Sequence, residues 1–312
     1  MKNRILLAAT LCAAVSAFGE GAKGHDQERE DLSDLNDKNP SPVEFFWARG
    51  FDPAPRIDAA ARARSPLMTY HGGAIMPTAN IKAVFWGTSW PADSKNDPKI
   101  TGLDSFYTGF SKSNYARTSD EYTGSNGQVG ATTAYQGHVI DNSAVTGIQG
   151  GNNANAVLTE VCNNITADLG GNGYYPVYTD QKRGNAGFCA WHSQGTCRGV
   201  TVQFAFFFNL DGDAGCDPQD TTTGHPQGLA ALANVSAHEL SEARSDPGTP
   251  GAWYDASGQE NGDKCAWTFN VPAVTFSDGN KWKVQGEWSN AAYNTTAAYP
   301  NRSGQKGCLD GH

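Results

Sequence analysis

The sequence predicts an α+β protein with a single mixed-sheet domain. Short runs of β-branched and aromatic residues predict strands, and longer runs with apolar residues at helical spacing predict helices. These segments come in the order of strands with two helices, then a third helix, then a tail rich in turn residues. Because the chain contains 36 glycines and much Asn, Ser and Thr, we expect long loops, above all in the C-terminal part.

Each element of this domain rests on a local pattern. Strands are predicted from β-branched and aromatic content at residues 81–86, 174–178 and 200–210. Helices are predicted where apolar residues recur every three or four positions, at residues 100–115, 155–169 and 228–244. Hairpins are expected within residues 122–135 and 273–288. The domain is therefore expected to span residues 68–312, with the sheet and the third helix in 68–246 and a C-terminal lobe in 247–312.

The first 67 residues are expected to lie outside this domain. Residues 1–17 have a basic start, a short apolar run and a small-residue cleavage motif, which together predict a signal peptide and a secreted, extracellular protein. Residues 18–67 are acidic and then rich in proline, which is typical of disorder. This leader is interpreted either as a flexible segment or as a pro-segment removed near Arg62 or Arg64.

Charge and hydrophobic content disfavour a nucleic-acid partner and a membrane span. The net charge of −9 disfavours nucleic acid, because phosphate binding needs a basic surface. No stretch after the signal peptide is long and apolar enough to span a membrane.

Of seven cysteines, six follow the signal peptide, and an even number in an exported chain favours disulfide bonds. We expect Cys189 and Cys197, which are close in sequence, to be one pair.

The third predicted helix carries the motif His238-Glu239-Leu240-Ser241-Glu242. Residues four apart share one face of a helix, so the imidazole of His238 and the carboxylate of Glu242 are expected to lie side by side. Such a pair can supply two ligands to a zinc-type cation, and Glu239 could then activate a water molecule. The motif is a variant of the metalloprotease signature, which has a second histidine where this chain has Glu242. It also occurs by chance on solvated helices.

A third metal ligand is expected from the acidic, glycine-containing stretch that follows the helix. This stretch offers Asp255, Glu260 and Asp263, of which Glu260 and Asp263 are favoured equally. One histidine and two carboxylates suit zinc or another divalent cation. Calcium is a weaker alternative, suggested by the acidic composition of residues 211–217, which lack the spacing of a helix-loop-helix calcium site.

Hydrolysis would require a base and an electrophilic partner beside the metal. Glu239 is the expected general base, and His192 or Tyr254 is the expected donor that stabilises the oxyanion. The alternative for His192 is a loop histidine held in place by a neighbouring disulfide.

Several motifs together resemble the plant phosphate-induced, Exordium-type secreted proteins and their bacterial relatives. The matching segments span roughly residues 68–308 and are, in order, 70–73, 81–86, 189–193, 237–243, 252–254, 260–265 and 284–288. The resemblance implies an extracellular or wall-associated protein, and it suggests that His238, Glu242, Glu260 and Asp263 belong to one site.

The sequence thus predicts a secreted, disulfide-stapled protein that resembles the zincins in layout. Its expected activity is metal-dependent hydrolysis of an extracellular peptide or protein. The rival interpretation is a non-catalytic extracellular protein that binds a cell-wall polymer or a protein partner and contains a purely structural metal. A metal-dependent deacylase or glycan hydrolase would use the same residues on another substrate.

Overall fold

A mixed six-stranded sheet forms the centre of the protein in a computed structural model that describes residues 40–51, 65–165 and 170–312. Its strands, in chain order, are β1 (Glu44–Trp47), β2 (Ala79–Trp86), β3 (Thr133–Asp141), β4 (Gly173–Lys182), β5 (Phe188–Cys197) and β6 (Val200–Asn209). The spatial order is β1-β5-β6-β4-β2-β3. Strands β3, β2, β4 and β6 are parallel, whereas β5 is antiparallel to β6, and β1 is antiparallel to β5. This sheet confirms the predicted α+β class.

Several short strands lie outside the main sheet. Two hairpins, Thr123–Gly124 with Gly127–Gln128 and Val274–Thr275 with Lys281–Trp282, confirm the hairpins predicted for these regions. The remaining short strands join distant segments, and they are Thr69–Tyr70 with Trp253–Tyr254, and Glu287–Trp288 and Tyr299–Pro300 on either side of Lys306–Leu309.

Four α-helices occur in the described residues: α1 (Pro98–Phe110), α2 (Ala154–Asn164), α3 (Gln227–Ser245) and the single turn α4 (Asn261–Lys264). The side chain of Asp97 caps α1 by accepting from the backbone N–H of Lys99 and Ile100, at 2.8 and 3.2 Å. Helix α1 ends at Phe110, earlier than the predicted residue 115, because Ser111 has non-helical backbone angles (φ −55°, ψ 126°), and residues 116–119 form a separate 3-10 turn. Helix α2 ends at Asn164, because Ile165 is extended (φ −75°, ψ 108°), whereas its predicted end at Leu169 lies outside the described residues.

Strands β1, β3 and β5 were not predicted as strands of the main sheet, and β1 and β5 position the site. Residues 189–193 were considered as a loop, but they lie in β5, where His192 pairs with Ala205 of β6. Strand β5 contains Ser193, Gln194 and Gly195, so its strand character comes from pairing with β6 rather than from local propensity. Strand β1 lies inside the region 18–67 that was interpreted as a leader, and residues 44–47 therefore differ from the disorder expected there. The rest of that leader, apart from residues 40–51 and 65–67, and the signal peptide at residues 1–17 lie outside the described residues.

Alternation along β5 separates two chemically different faces of the sheet. Trp191 is buried on the face covered by α2, where its indole N–H donates to the carbonyl oxygen of Gly151 at 2.6 Å. His192, the next residue, points to the opposite face, where α3 crosses the sheet. The strand therefore presents one histidine to the motif helix and buries its aromatic neighbour in the opposite layer.

Helix α3 is buried along its whole length from Gly228 to Ser245. It packs against the sheet on one side and against α1, α4 and the C-terminal segments on the others. The polar side chains of Ser236 and His238 are both fully buried. Burial of polar groups requires partners. The hydroxyl of Ser236, for example, hydrogen-bonds the hydroxyl of Tyr178 at 2.7 Å.

Three disulfide bonds join Cys162 to Cys197, Cys189 to Cys216 and Cys265 to Cys308. The predicted pair of Cys189 and Cys197 is therefore wrong. These two cysteines lie near the two ends of β5, and eight residues of extended strand separate their Cα atoms by about 26 Å. A disulfide requires Cα atoms within about 7 Å.

The buried carboxyl of Glu160 predicts a pH dependence of stability that is unrelated to the site. Burial, with the charge of Asp141 adding to it, raises the pKa of Glu160 from 4.5 to about 8. Between these two values the unfolded chain ionises this group while the folded protein keeps its proton, so this carboxyl makes unfolding easier as the pH rises. We expect Glu160→Gln, whose amide oxygen can still accept from Asn164, to flatten the change in urea midpoint between pH 5 and pH 8. An unchanged slope would contradict the assignment.

Candidate metal centre

Three elements bring six predicted polar residues to one place beside the sheet. Helix α3 supplies His238, Glu239 and Glu242, strand β5 supplies His192, and the turn before and within α4 supplies Glu260 and Asp263. All of these side chains are buried except that of Asp263, which is 25% exposed. The structure therefore brings together the predicted ligands with His192 and Glu239.

The distances within the cluster lie just below and just above those between ligands that share a zinc ion. Nε2 of His238 lies 3.0 Å from Oε2 of Glu242, and Nδ1 of His192 lies 3.7 Å from that same oxygen. Nε2 of His192 lies 3.8 Å from Oε2 of Glu260. In a tetrahedral zinc site, ligand atoms are roughly 3.3 to 3.6 Å apart, given metal–ligand bonds of about 2.0 to 2.2 Å.

Two overlapping sets of donors could hold a metal ion. One set is His192, Glu242 and Glu260, and the other is His238, Glu239 and Glu242. In each set one donor atom per residue lies within 4.8 Å of the others. Glu242 belongs to both sets, so it is the common element of either arrangement.

Unpaired polar atoms and excess negative charge also fit a cation. Oε1 of Glu239 and Oε2 of Glu260 are buried and accept no hydrogen bond from the described residues. Within the described residues, the ion pairs of Glu239, Glu242 and Glu260 are made with histidines and with no lysine or arginine. Burial raises the pKa of Glu242 to about 8, and it raises the pKa of Glu239 and Glu260 well above the usual range. A divalent cation would favour the charged forms of these carboxyls.

Gln285 decides which ring nitrogen of His238 carries the proton. Its side-chain oxygen accepts from the backbone N–H of Trp267 at 3.1 Å, and its side-chain nitrogen donates to the carbonyl oxygen of Gly262 at 2.9 Å. These two contacts fix the orientation of the amide, which then presents N–H to Nδ1 of His238 at 3.0 Å. Burial lowers the pKa of His238, so the ring is neutral and its proton is on Nε2. In this tautomer Nε2 is a donor and has no lone pair for a metal.

His192 has the opposite arrangement. Its Nδ1 lies 3.1 Å from Oε2 of Glu239, where a ring N–H can donate to the carboxylate. Its Nε2 faces Glu260, at 3.8 Å, and the backbone oxygen of Asp246, at 3.4 Å. A histidine that ligates a metal through one nitrogen characteristically donates its other N–H to a carboxylate or carbonyl. Nε2 of His192 is then the nitrogen left for a cation, in place of its contact with the Asp246 carbonyl oxygen, whereas Nε2 of His238 is buried without a hydrogen-bond partner among the described residues and carries the proton in the tautomer set by Gln285.

Glu260 and Asp263, which the sequence left equal, differ in the structure. Glu260 is the N-cap of α4, and the two residues form a capping box in which Asp263 accepts from the backbone N–H of Glu260 at 3.3 Å. Asp263 also donates its backbone N–H to Oε1 of Glu242 at 2.9 Å. Asp263 thus braces the turn with both its side chain and its backbone, whereas Oε2 of Glu260 makes no hydrogen bond and lies 3.8 Å from Nε2 of His192.

Other residues from the acidic stretches have partners of their own. Asp255 accepts from the ammonium group of Lys264 at 2.6 Å, and this ion pair balances the negative charge of Asp255. Tyr254 stacks on His71 with ring centroids 3.6 Å apart, in a contact outside the cluster. In the loop considered for calcium, Asp211 pairs with Lys99 at 2.6 Å, and Asp213 pairs with Arg183 at 2.6 Å.

The lack of space around Gly262 indicates that the centre depends on the short distance between α4 and α3. A Cβ atom at this position would lie 2.7 Å from Nδ1 of His238 and 2.9 Å from Oε1 of Glu242. We expect Gly262→Ala to push α4 away from α3 and to lower zinc affinity by about 10- to 100-fold, as loss of a supporting contact does at other metal sites. The matched control is Gly171→Ala, where a Cβ meets nothing within 4 Å. Equal zinc affinity of the two variants in calorimetric titration would contradict this prediction.

The chain matches no protein-family profile, no curated protein and no solved structure. The resemblance to Exordium-type proteins therefore stays a prediction. Membrane-spanning helices are absent from the described residues, since none of their helices has both the length and the apolar character that a span requires.

Proposed function

We propose that this protein is a secreted, metal-dependent peptide hydrolase whose cation is zinc or a similar divalent ion. The observation that carries the proposal is the buried convergence of His192, Glu242 and Glu260 beside Glu239, with two carboxylate oxygens left without a hydrogen bond. Unpaired buried carboxylates destabilise a fold, and proteins retain them chiefly at functional sites.

The proposed ligands are Nε2 of His192 and one carboxylate oxygen each of Glu242 and Glu260. Three protein ligands leave one position for a substrate or water, which is the pattern of catalytic zinc sites. This assignment gives the two histidines roles opposite to those predicted from the sequence. His238 becomes a hydrogen-bond donor through Nε2, because Gln285 occupies the acceptor position at Nδ1.

Glu239 is the proposed general base. Its Oε2 is held by His192 at 3.1 Å, while its Oε1 is free to accept a proton. When bound, a divalent cation supplies Lewis acidity toward the scissile carbonyl oxygen. Oε1 of Glu239 takes a proton from the water whose oxygen attacks the carbonyl carbon, and it delivers that proton to the nitrogen as the C–N bond breaks. The N–H of His238 is available to the oxygen that gains negative charge.

A non-catalytic protein with a structural metal is the second candidate. The near-complete burial of His192, Glu242 and Glu260 favours it, because structural metal sites are closed to solvent. A wall-binding role has less support, since Phe51 and Tyr70 are the large hydrophobic side chains exposed among the described residues. Secretion, which the signal-peptide pattern predicts, is compatible with three disulfide bonds.

Elemental analysis tests the metal and its ligands. We expect about one zinc per chain in the wild type, loss of that zinc in His192→Ala and Glu260→Gln, and retention of most of it in His238→Ala. Loss of zinc from His238→Ala with retention in His192→Ala would reverse the assignment of the histidines. Zinc-free wild-type protein that takes up none on dialysis would contradict the metal centre altogether.

A further inference from the structure

Residues 41–48 cover the candidate metal centre from the edge of the sheet. Strand β1 pairs antiparallel with β5, with Glu44 opposite His192 and Phe46 opposite Ala190. Since β6 occupies the other side of β5, the metal-centre strand would be the sheet edge if β1 were absent. The segment therefore fills the position at which an extended peptide can add to the sheet.

The ring of Phe46 occupies a pocket whose wall is part of the centre. It stacks on the imidazole of His238 with centroids 3.9 Å apart and planes 17° apart, and on Trp267 at 4.7 Å and 19°. Phe46 is fully buried between these two rings. The indole N–H of Trp267 also donates to the carbonyl oxygen of Trp47 at 2.9 Å, which fixes the strand over the pocket.

Many of the other contacts of the segment use its backbone. Ser41 donates its N–H to the carbonyl oxygen of Gln194 at 2.8 Å and accepts at its own carbonyl from the hydroxyl of Ser193 at 2.8 Å. At the other end, Ala48 donates its N–H to the carbonyl oxygen of Gly187 at 2.9 Å. Backbone pairing of this kind accepts many sequences, whereas the pocket around Phe46 selects a side chain.

No disulfide ties this segment to the rest of the protein. The three disulfides use six of the seven cysteines, and all six lie at residue 162 or beyond. The segment is therefore held by non-covalent contacts and by its continuation along the chain toward residue 65.

We infer that residues 41–48 occupy the substrate groove and act as a built-in inhibitor, which a cut on their C-terminal side releases. The inference rests on the proposed hydrolase function. It also names the substrate class: extended peptides that pair antiparallel with β5 and place an aromatic side chain in the pocket of Phe46.

The test uses the full chain with the recognition sequence of a site-specific protease inserted between residues 58 and 59. The protein is folded, loaded with zinc and cut, and the hydrolysis of casein-derived peptides is measured before and after cutting. We expect at least a tenfold rise in hydrolysis and faster removal of zinc by a chelator. A synthetic peptide of residues 40–51 should then inhibit the cut protein. The Phe46→Ala peptide should inhibit it at least tenfold less well, whereas the Phe51→Ala peptide, altered at a side chain that is 53% exposed, should inhibit as well as the parent.

The outcomes separate this inference from the proposed function. Equal hydrolysis before and after cutting, with no inhibition by the peptide, overturns the inhibitor role while the hydrolase stands. Faster zinc removal and tight peptide binding without hydrolysis in any form support the covering role and overturn the hydrolase. If cutting changes neither hydrolysis nor zinc removal, and the added peptide does not bind, residues 41–48 are an ordinary edge strand and the inference fails.

Discussion

Replacing Glu239 by glutamine is expected to reduce peptide hydrolysis by about 10²- to 10⁴-fold, the usual contribution of a general base. The amide oxygen of the new side chain can still accept from Nδ1 of His192, which in the wild type lies 3.1 Å from the carboxylate. The substitution therefore removes the proton acceptor at Oε1 while preserving the contact that orients the histidine. The measurement is kcat/KM for a fluorogenic peptide, made on whichever form of the protein, intact or cut, hydrolyses it faster.

The matched control for this substitution is Glu160→Gln. It also replaces a buried glutamate by its amide, and Glu160 lies on α2, on the opposite side of the sheet from α3. We expect the control to keep full activity and Glu239→Gln to keep its zinc. Loss of activity together with loss of zinc would assign Glu239 a role in holding the metal instead of a role as base. Full activity in Glu239→Gln would remove it from the mechanism.

The helix and the adjacent positions of its histidine and carboxylate could be predicted because they depend on residues close together in sequence. Four residues make one helical turn, so the spacing of His238 and Glu242 alone places their side chains together. The loop after the helix was also predicted to return to it, and Glu260 does reach the cluster. The sequence could not rank Glu260 above Asp263, because the difference is the capping box of a one-turn helix that the local pattern does not reveal.

The parts of the site that sequence reasoning missed come from distant segments. Gln285, which sets the tautomer of His238, lies 47 residues away in the chain and has no motif of its own. Strand β1 lies in a region whose acidic and proline-rich composition is typical of disorder. Its residue Phe46 nevertheless packs on His238 of the motif helix. Pairing between distant strands depends on the assembled sheet, and a single sequence carries little local signal for it.

Zinc binding is expected to raise the thermal midpoint of the wild type by about 5 to 10 °C at a free concentration of one hundred times the Kd. This concentration corresponds to about 2.7 kcal/mol of stabilisation, and a domain of this size gains about 2 to 4 °C per kcal/mol. Glu239→Gln should show the same shift, because it keeps the proposed ligands. His192→Ala and Glu260→Gln should show little or none, which scanning calorimetry with and without zinc would establish.

Without metal, Glu260→Gln is expected to change the thermal midpoint in the opposite direction. Burial, with the charge of Glu242 adding to it, raises the pKa of Glu260 well above its usual range. At pH 8 the unfolded chain ionises this group freely, whereas the folded protein must either keep it protonated or bury its charge, so the carboxyl destabilises the metal-free fold. Metal-free Glu260→Gln should therefore unfold at a higher temperature than metal-free wild type at pH 8, and this gain should shrink at pH 5. A residue that destabilises the metal-free protein and stabilises the metal-bound protein is characteristic of a metal ligand. If Glu260→Gln lowers the midpoint equally with and without zinc, Glu260 is a structural residue of the α4 turn and the proposed ligand set loses its third member.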